Sequence, residues 1–252
     1  MSSSSPIKFI FIVPYRDRQC HYEIFSEHMK TILEDIDPTF YEIFYIHQTD
    51  RRGFNRGAMK NIGFLYVKEK YPDTYKDITL VFNDVDTMPK VKNLLDYETK
   101  IGVIKHFYGF TYTLGGIISV NASDFEKMNG FPNFWAWGYE DNALQKRAMH
   151  YKIAIDRSKL YVIGNENITH LSDELTKRVN RDEFVLYKMN SSEGIGEINS
   201  LTYNVNESNG FIDILTFTTN REENTKTSKM HSVKRSNKPF HKRNPSMSMS
   251  FL

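Results

Sequence analysis

The chain has 252 residues, of which 40% are hydrophobic and 14% aromatic, and its formal net charge is +2. This length and composition suit one large α/β domain or two small ones and exclude wholesale disorder. The near-neutral charge gives no reason to expect nucleic-acid binding. The single cysteine excludes an intrachain disulfide and is typical of a reducing compartment. No run of about 18 apolar residues that could span a bilayer occurs.

Composition divides the chain into three parts. Residues 1–6 form a polar N-terminus that we expect to be flexible, and the apolar run that follows, 9–13, is too short for a signal peptide. Residues 7–220 have the composition of a folded domain. Residues 221–252 contain eight lysines and arginines against two glutamates and few apolar side chains, which predicts a basic, disordered tail. We therefore expect a soluble, cytoplasmic protein, with the host cytoplasm as the setting if its source is viral.

The first ninety residues alternate between strand and helix patterns. Short apolar runs at 7–13, 41–47 and 78–84 predict buried strands, and amphipathic spacing at 20–36 and 55–71 predicts helices between them. This order predicts a parallel sheet with helices on its faces. Ligands of such sheets bind at the carboxyl ends of the strands, so the residues after the first and third strands are candidates for a site.

The pattern is less regular after residue 90. A strand is predicted at 114–121, a short helix at 122–130, a longer helix at 138–151, short strands at 152–158 and 160–165, and a hairpin at 200–207 and 210–219.

The third predicted strand ends in two carboxylates, Asp84 and Asp86. At a spacing of two, both face the same side of an extended segment. Two such charges are unfavourable together unless a cation or hydrogen-bond donors lie between them, and oxygen ligands suit Mg²⁺ or Mn²⁺. The alternative is a solvated turn that begins at Asn83 and ends at Pro89. The spacing alone does not decide between the two.

Arginines occupy positions where the sheet would bind a ligand. Arg16 and Arg18 follow the first strand, and arginine recognises phosphate with two parallel hydrogen bonds. A solvated charged loop is the alternative. Arg56 lies in the first turn of the second helix, where a cation opposes the helix dipole unless it answers an anion. Simple exposure of Arg56 is the alternative.

A third group of candidates lies between residues 129 and 170. Trp135 and Trp137 precede Glu140 and Asp141 at the start of the longer helix. Aromatic faces stack on sugar rings, and a carboxylate beside them is placed to act as a general base. Alternatively, the tryptophans are core residues and the acids complement the helix dipole. His170, a lone histidine, is of interest because a metal with oxygen ligands is already suspected.

Taken together and in this order, these stretches resemble the β-1,4-galactosyltransferase family, glycosyltransferase family 7. The stretches are VPYRDRQ (13–19), FNRGAMKNIGF (54–64), VFNDVDTMP (81–89), LGGIISV (114–120), NGFPNFWAWGYEDN (129–142), ITH (168–170) and INSLTYNV (198–205). The resemblance extends from about residue 9 to about residue 205. It implies an α/β fold of the GT-A, Rossmann-like class, with a mixed, mostly parallel central sheet, over residues 7–220.

The resemblance also implies an activity: metal-dependent, inverting transfer of galactose or N-acetylgalactosamine from a UDP-sugar to a sugar hydroxyl of a saccharide or glycoconjugate, with a β linkage. Asp141 would be the general base and Glu140 would hold the donor sugar. The implied donor and nucleotide contacts are Arg16, Arg18, Phe54, Arg56, Asp84, Thr113, Gly115, Gly116 and Trp137. The implied metal ligands are Asp86 and His170, with Mn²⁺ as the cofactor, and segments near Trp137 and before His170 would move when the donor binds.

Four departures from the family pattern lead to further expectations. Asn167 stands where vertebrate members have a methionine ligand, so Mg²⁺ should be better tolerated. Thr113 stands where they have a tyrosine that limits N-acetylated donors, so we hypothesise that UDP-GalNAc is accepted. Ala136 and Tyr139 replace glycines beside the acceptor, whose identity is therefore open. The family is Golgi-anchored and disulfide-bonded, whereas this chain has one cysteine, Cys20.

Two other functions are compatible with parts of the sequence. A metal-dependent phosphodiesterase could use Asp84 and Asp86, but the sequence lacks the further carboxylate and histidine clusters of a two-metal site. A non-catalytic sugar- or nucleotide-binding module is the other alternative, and the joint presence of Asp86, Asp141 and His170 argues against it.

Overall fold

The structure is a computed structural model that describes residues 7–171, 176–188, 192–226 and 229–232. Its strands are β1 (Phe9–Tyr15), β2 (Tyr41–Gln48), β3 (Thr79–Asn83), β4 (Thr87–Pro89), β5 (Val103–Gly109), β6 (Ile117–Asn121), β7 (Ala154–Asp156), β8 (Tyr161–Val162), β9 (Ile168–His170), β10 (Thr176–Val179), β11 (Asn199–Asn206), β12 (Phe211–Thr218) and β13 (Lys229–Ser232). Its α-helices are α1 (Gln19–Ile32), α2 (Arg56–Lys70), α3 (Ala122–Lys127), α4 (Glu140–His150) and α5 (Arg181–Lys188).

Nine of the strands in the described ranges form one mixed sheet, in the order β11-β12-β2-β1-β3-β6-β5-β7, with β8 paired to β5. The four strands from β12 to β3 are parallel to one another. Strand β6 runs antiparallel to both β3 and β5, while β7 and β8 run parallel to β5. The predicted mixed, mostly parallel sheet is confirmed, and the predicted hairpin is β11 and β12 at one edge.

Strand β1 lies at the centre because both of its faces are apolar, and all seven of its residues are buried. Alternate side chains divide between two cores. Ile10 and Ile12 pack in the core that contains α2, whereas Phe11 and Val13 pack in the core that contains α1. The strand continues through Pro14 to Tyr15, two residues beyond the predicted end. This is tolerated because β3 pairs with β1 only as far as Ile12.

The start of α2 is fixed by Asn55. Its Oδ1 accepts a hydrogen bond from the Ala58 amide (2.9 Å), and its Nδ2 donates to the Asn133 carbonyl (2.8 Å). The first bond satisfies an otherwise unpaired helix N–H, and the second ties the helix to the loop before α4. Asn55 therefore fixes the position from which the first turns of α2 present their side chains.

A two-stranded ribbon, β4 paired antiparallel to β9, lies beyond the carboxyl end of β3. Its register places Thr87 opposite His170, and the Asp86 carbonyl accepts a hydrogen bond from the Leu171 amide (2.8 Å). The ribbon thus brings His170 beside Asp86, although 84 residues separate them in the sequence.

Part of the segment that composition predicts to be disordered is structured. Residues 229–232 form β13, which pairs antiparallel with β10, and the Arg221 carbonyl accepts a hydrogen bond from the Trp135 indole (2.8 Å). The buried indole N–H needs an acceptor, which this backbone supplies. The domain boundary at residue 220 stays a prediction, although residues on its C-terminal side make these contacts. The rest of the predicted tail, 233–252, and the predicted flexible residues 1–6 lie outside the described residues. Among the helices of the described ranges, none has the length and apolar character required to cross a bilayer.

Candidate active site

The predicted site residues converge at the carboxyl edge of the parallel strands. Arg18 follows β1 and Asp86 follows β3, while Arg56 begins α2 and Glu140 begins α4. The charged groups that meet there, within the described residues, include the cations Arg18, Arg56 and Lys60 and the carboxylates Asp84, Asp86, Glu140 and Asp141.

Arg56 binds two of these carboxylates. Its Nη2 lies 2.7 Å and 2.8 Å from the two oxygens of Asp84, and its Nε lies 3.6 Å from Oε1 of Glu140. The anions beside Arg56 at the start of α2 are therefore two carboxylate side chains of the protein, Asp84 and Glu140. Burial opposes the charged form of Asp84, yet the guanidinium of Arg56 holds the pKa of that carboxyl below its ordinary value. Burial and the neighbouring Asp141 raise the pKa of Glu140.

Asp86 is less well compensated than Asp84. Nη1 of Arg18 lies 3.6 Å from its Oδ2, beyond hydrogen-bond distance. Burial, and then the charge of Asp84, raise the pKa of Asp86. The two aspartates, similar in the sequence, thus differ in the folded chain because one is held by an arginine at hydrogen-bond distance and the other is not.

Asp86 and His170 are the two described side chains here that could hold a divalent cation. The hydroxyl of Tyr108 lies 2.9 Å from Nδ1 of His170, which orients the ring and leaves Nε2 for a ligand. A cation beside Asp86 would offset the charge that burial penalises, and an oxygen and an imidazole nitrogen suit Mn²⁺. In the described part of the chain, no three His, Cys, Asp or Glu side chains lie close enough together to hold a metal ion. An ion bound by Asp86 and His170 would therefore need further ligands of another kind, such as substrate oxygens or water.

Asp141 is held on three sides. Nζ of Lys60 lies 3.1 Å from its Oδ1, and its carbonyl accepts a hydrogen bond from the Leu114 amide (3.2 Å). Its Oδ2 lies against Gly115, where a Cβ would come within 2.4 Å of that oxygen. Only glycine leaves room for this carboxylate, and this packing is one reason for the paired glycines at 115 and 116.

The loop that carries Thr113 and Gly115 is anchored by two side chains that the sequence did not single out. Nε2 of His106 lies 3.1 Å from the Gly115 carbonyl, and Nη2 of Arg157 lies 3.2 Å from the Thr113 carbonyl. Nε of Arg157 donates to Nδ1 of His106 (3.1 Å), which requires a neutral imidazole. Burial, and then the charge of Arg157, lower the pKa of His106 to about 4. Thr113 itself is buried.

The two tryptophans have different surroundings: the core interpretation holds for Trp135, and the stacking role of Trp137 stays a prediction. Trp135 is a core residue whose ring stacks on Phe217 (centroids 5.6 Å apart). Trp137 is half-buried, and its amide donates to the Arg178 carbonyl (2.7 Å). Tyr139, which immediately precedes α4, has φ of 71°, a left-handed conformation that suits the glycine of the family pattern better than tyrosine.

Three predicted site residues have neighbours that do not by themselves indicate a ligand. The guanidinium of Arg16 donates to the carbonyls of Asp50 (2.8 Å) and Arg52. Phe54 is partly buried against the core of α2. Asn167 is exposed, and its carbonyl accepts from the Lys90 amide (2.9 Å). The binding roles of these residues stay predictions.

Known protein families match most of the chain. Two family models match consecutive parts of the chain: "N-terminal region of glycosyl transferase group 7" matches residues 3–97, and "N-terminal domain of galactosyltransferase" matches residues 99–174. The chain belongs to the β-1,4-galactosyltransferase family. The family resemblance found in the sequence motifs is thereby confirmed.

Members of the family from several animals match most of this chain. A xylosylprotein 4-β-galactosyltransferase of Caenorhabditis elegans is 32% identical over 182 residues, which is 68% of this chain and 61% of the relative. A β-1,4-galactosyltransferase 1 of Mus musculus is 30% identical over 213 residues, 80% of this chain and 51% of the relative. The chain thus spans about half to three fifths of the length of these relatives.

A solved structure of the family has the same fold. The catalytic domain of Drosophila β-1,4-galactosyltransferase 7, solved with xylobiose, superimposes with a TM-score of 0.67 at 22% identity and covers 86% of this chain and 95% of that one. The predicted GT-A class of the α/β fold is confirmed.

Proposed function

We propose that the chain is a metal-dependent, inverting galactosyltransferase that uses UDP-galactose and forms a β linkage to a sugar hydroxyl. The observation that carries this is the position of Asp141: a carboxylate fixed at the sheet edge, in the charged cluster that includes Asp86. Family membership supports the proposal. A mutant of the Drosophila relative is described in complex with manganese, UDP-Gal and xylobiose.

In this proposal Asp141 takes the proton of the acceptor hydroxyl as the hydroxyl oxygen attacks the anomeric carbon. A single displacement of this kind converts an α-linked donor into a β-linked product. Arg18, at the end of β1, would contact the diphosphate that leaves, and Glu140 would hold the donor sugar. Of the further predicted donor contacts, Asp84 is oriented by Arg56, and Trp137 is exposed enough to contact a sugar face.

Asp86 and His170 are the residues that would hold Mn²⁺, which when bound would offset the charge on the diphosphate. Asn167 is proposed as a third, carboxamide ligand, which would make Mg²⁺ a better substitute than it is with a thioether. Transfer measured with each metal, in the wild type and in Asn167→Met, tests this. A strict requirement for Mn²⁺ in both would contradict the role given to Asn167.

Donor choice is the finer part of the proposal. Thr113 is buried in the anchored loop and is smaller than tyrosine, so we propose that UDP-GalNAc is accepted as well as UDP-galactose. Competition between the two donors in the wild type and in Thr113→Tyr tests it. We expect the variant to favour UDP-galactose, and no turnover of UDP-GalNAc by the wild type would contradict the idea.

The acceptor is proposed to be a saccharide or a glycoconjugate. UDP release from a panel of nucleotide sugars, with GlcNAc, glucose and xylose as acceptors and with added Mn²⁺, tests the whole proposal. We expect the wild type to transfer sugar and the variants Asp86→Asn and Asp141→Asn to lose this activity. Phosphodiester cleavage instead of transfer, or UDP binding with no turnover of any donor, would refute it in favour of the other two functions. The cytoplasmic location stays a prediction that rests on the single cysteine and can be checked by fractionation.

A further inference from the structure

Lys60 is a buried cation that the proposed reaction has not yet used. Its side chain is 3% exposed, and its Nζ lies 3.1 Å from Oδ1 of Asp141 and 4.3 Å from the centroid of the Phe131 ring. Lysine is almost never fully buried unless it is paired. The burial of Lys60 therefore needs a specific partner, and Asp141 is the carboxylate at hydrogen-bond distance.

The position of Lys60 on its helix is equally specific. It follows Arg56 by four residues on α2, so both side chains lie on the helix face that meets the start of α4. Arg56 contacts Asp84 and Glu140, and Lys60 contacts Asp141. Each of the two adjacent acids of α4 thus has its own cation from α2.

We propose that Lys60 is a positioning residue for transfer: it holds Oδ1 of Asp141, fixes the orientation of the carboxylate and leaves Oδ2 to receive the acceptor proton. This rests on the role of general base proposed for Asp141. In the step concerned, the acceptor O–H bond breaks and its proton passes to Oδ2. The released electron pair forms the bond to the anomeric carbon, and the bond from that carbon to the diphosphate oxygen breaks, with UDP taking the pair.

The orientation of the base connects Lys60 with the reaction. The carboxylate must keep its orientation while it receives the proton, because a misplacement of about 1 Å costs about 100-fold in rate. Lys60 on one oxygen and Gly115 against the other fix that orientation.

Steady-state kinetics of transfer are the first test, with Lys60→Met as the variant. Methionine keeps most of the length of lysine and removes the ammonium group that lies 3.1 Å from Oδ1 of Asp141. The loss should therefore appear in the proton-transfer step and not in donor binding.

We further expect kcat to fall about 10-fold or more, with little change in KM for UDP-galactose. The matched control is Lys68→Met, on the same helix. Lys68 pairs with Glu126 (2.6 Å), is 43% exposed and lies outside the site. Its variant should keep the wild-type kcat and KM. A Lys60→Met enzyme whose kcat matches the wild type, or whose loss lies wholly in KM, overturns the proposal.

A thermal-unfolding cycle tests the pair independently of catalysis. Lys60→Met and Asp141→Asn should each lower Tm, because each leaves a buried charge without its partner, and the double variant should recover most of that loss. Additive losses of Tm would overturn the ion pair, even if Lys60→Met were too unstable to assay. If the wild-type protein transferred no sugar, the proposed function would be refuted. The unfolding cycle needs no activity, so it would still show whether the ion pair of Lys60 and Asp141 exists.

Discussion

Replacing Gly115 by alanine isolates the packing of the proposed base. The added Cβ would lie 2.4 Å from Oδ2 and 2.9 Å from Cγ of Asp141, whereas ordinary van der Waals contact begins at 3.4 Å. The carboxylate must therefore move by about 1 Å, away from the position that Lys60 holds. A misplacement of that size costs about 100-fold in rate when the base must meet its proton in one geometry. We expect kcat of Gly115→Ala to fall by about that factor.

Stability should change much less than activity, because the atoms nearest to the new Cβ all belong to one side chain and the backbone of Gly115 is not left-handed. The assay is UDP release with saturating UDP-galactose, Mn²⁺ and acceptor, together with Tm by thermal unfolding. Gly196→Ala is the matched control, since its Cβ would meet a single atom at 3.8 Å and its backbone is not left-handed either. Wild-type kcat in Gly115→Ala would refute the proposed geometry of Asp141, and a large fall in Tm would show that the loss is one of folding.

Three further outcomes follow from the structure. The pKa of His106 is lowered from 6.5 to about 4, so the unfolded chain binds this proton before the folded chain does as pH falls. The free energy of unfolding should therefore fall by about 3 kcal/mol between pH 6.5 and pH 4. Tm measured against pH should fall less steeply in His106→Asn, and equal slopes would contradict a neutral, buried imidazole. Tyr139→Gly should raise the free energy of unfolding by about 1 kcal/mol, since φ is 71°, and unchanged or lower stability in denaturant titrations would mean that contacts of the ring outweigh the strain. Asp86→Asn should lower transfer at fixed Mn²⁺ by more than about 100-fold and weaken Mn²⁺ binding measured by calorimetry, and unchanged metal affinity would remove Asp86 from the ligand set.

The first three parallel strands were predictable from the sequence because most of their residues are apolar and buried. The runs at 7–13 and 78–84 are apolar enough to be buried on both faces and form β1 and β3, and the run at 41–47, which is buried over 44–46, forms β2. Strand β5 was missed. Its sequence, VIKHFYG, mixes partly and fully buried positions and contains Lys105 and His106, so it has no simple alternation. His106 is buried there because Arg157 and two carbonyls satisfy its ring, which only the folded chain can show.

The ribbon of β4 and β9 was missed for a different reason. Each of its strands has three residues, too few for a periodic pattern, and the pairing is decided by the antiparallel register that sets Thr87 opposite His170. The family resemblance could therefore single out Asp86 and His170 together, whereas the hydrophobic periodicity of the sequence could not. Arg56 was a partial success, because its unfavourable helix position predicted an anion, but sequence alone could not identify that anion as Asp84.

The pairing of Lys60 with Asp141 was not predicted, although the sequence contains two patterns that bear on it. Its spacing of four from Arg56 placed the two cations on one helix face, and the adjacent acids Glu140 and Asp141 began another helix. Neither pattern specifies that the two helices meet at their first turns. That contact depends on Asn55, which bonds to the Asn133 carbonyl, and on Gly57, where a Cβ would lie 2.0 Å from the Pro132 carbonyl.

The difference between Asp84 and Asp86 follows from the same meeting of helices. Arg56 can bind Asp84 with two short hydrogen bonds because α2 begins beside the end of β3, and the pKa of that carboxyl is lowered despite its burial. Asp86, one residue beyond Val85, faces Arg18 at 3.6 Å and has a raised pKa. A divalent cation gains most at the carboxylate that is least compensated. In the proposed site the metal therefore belongs at Asp86, beside His170, while Arg56 orients Asp84 for its predicted contact with the donor.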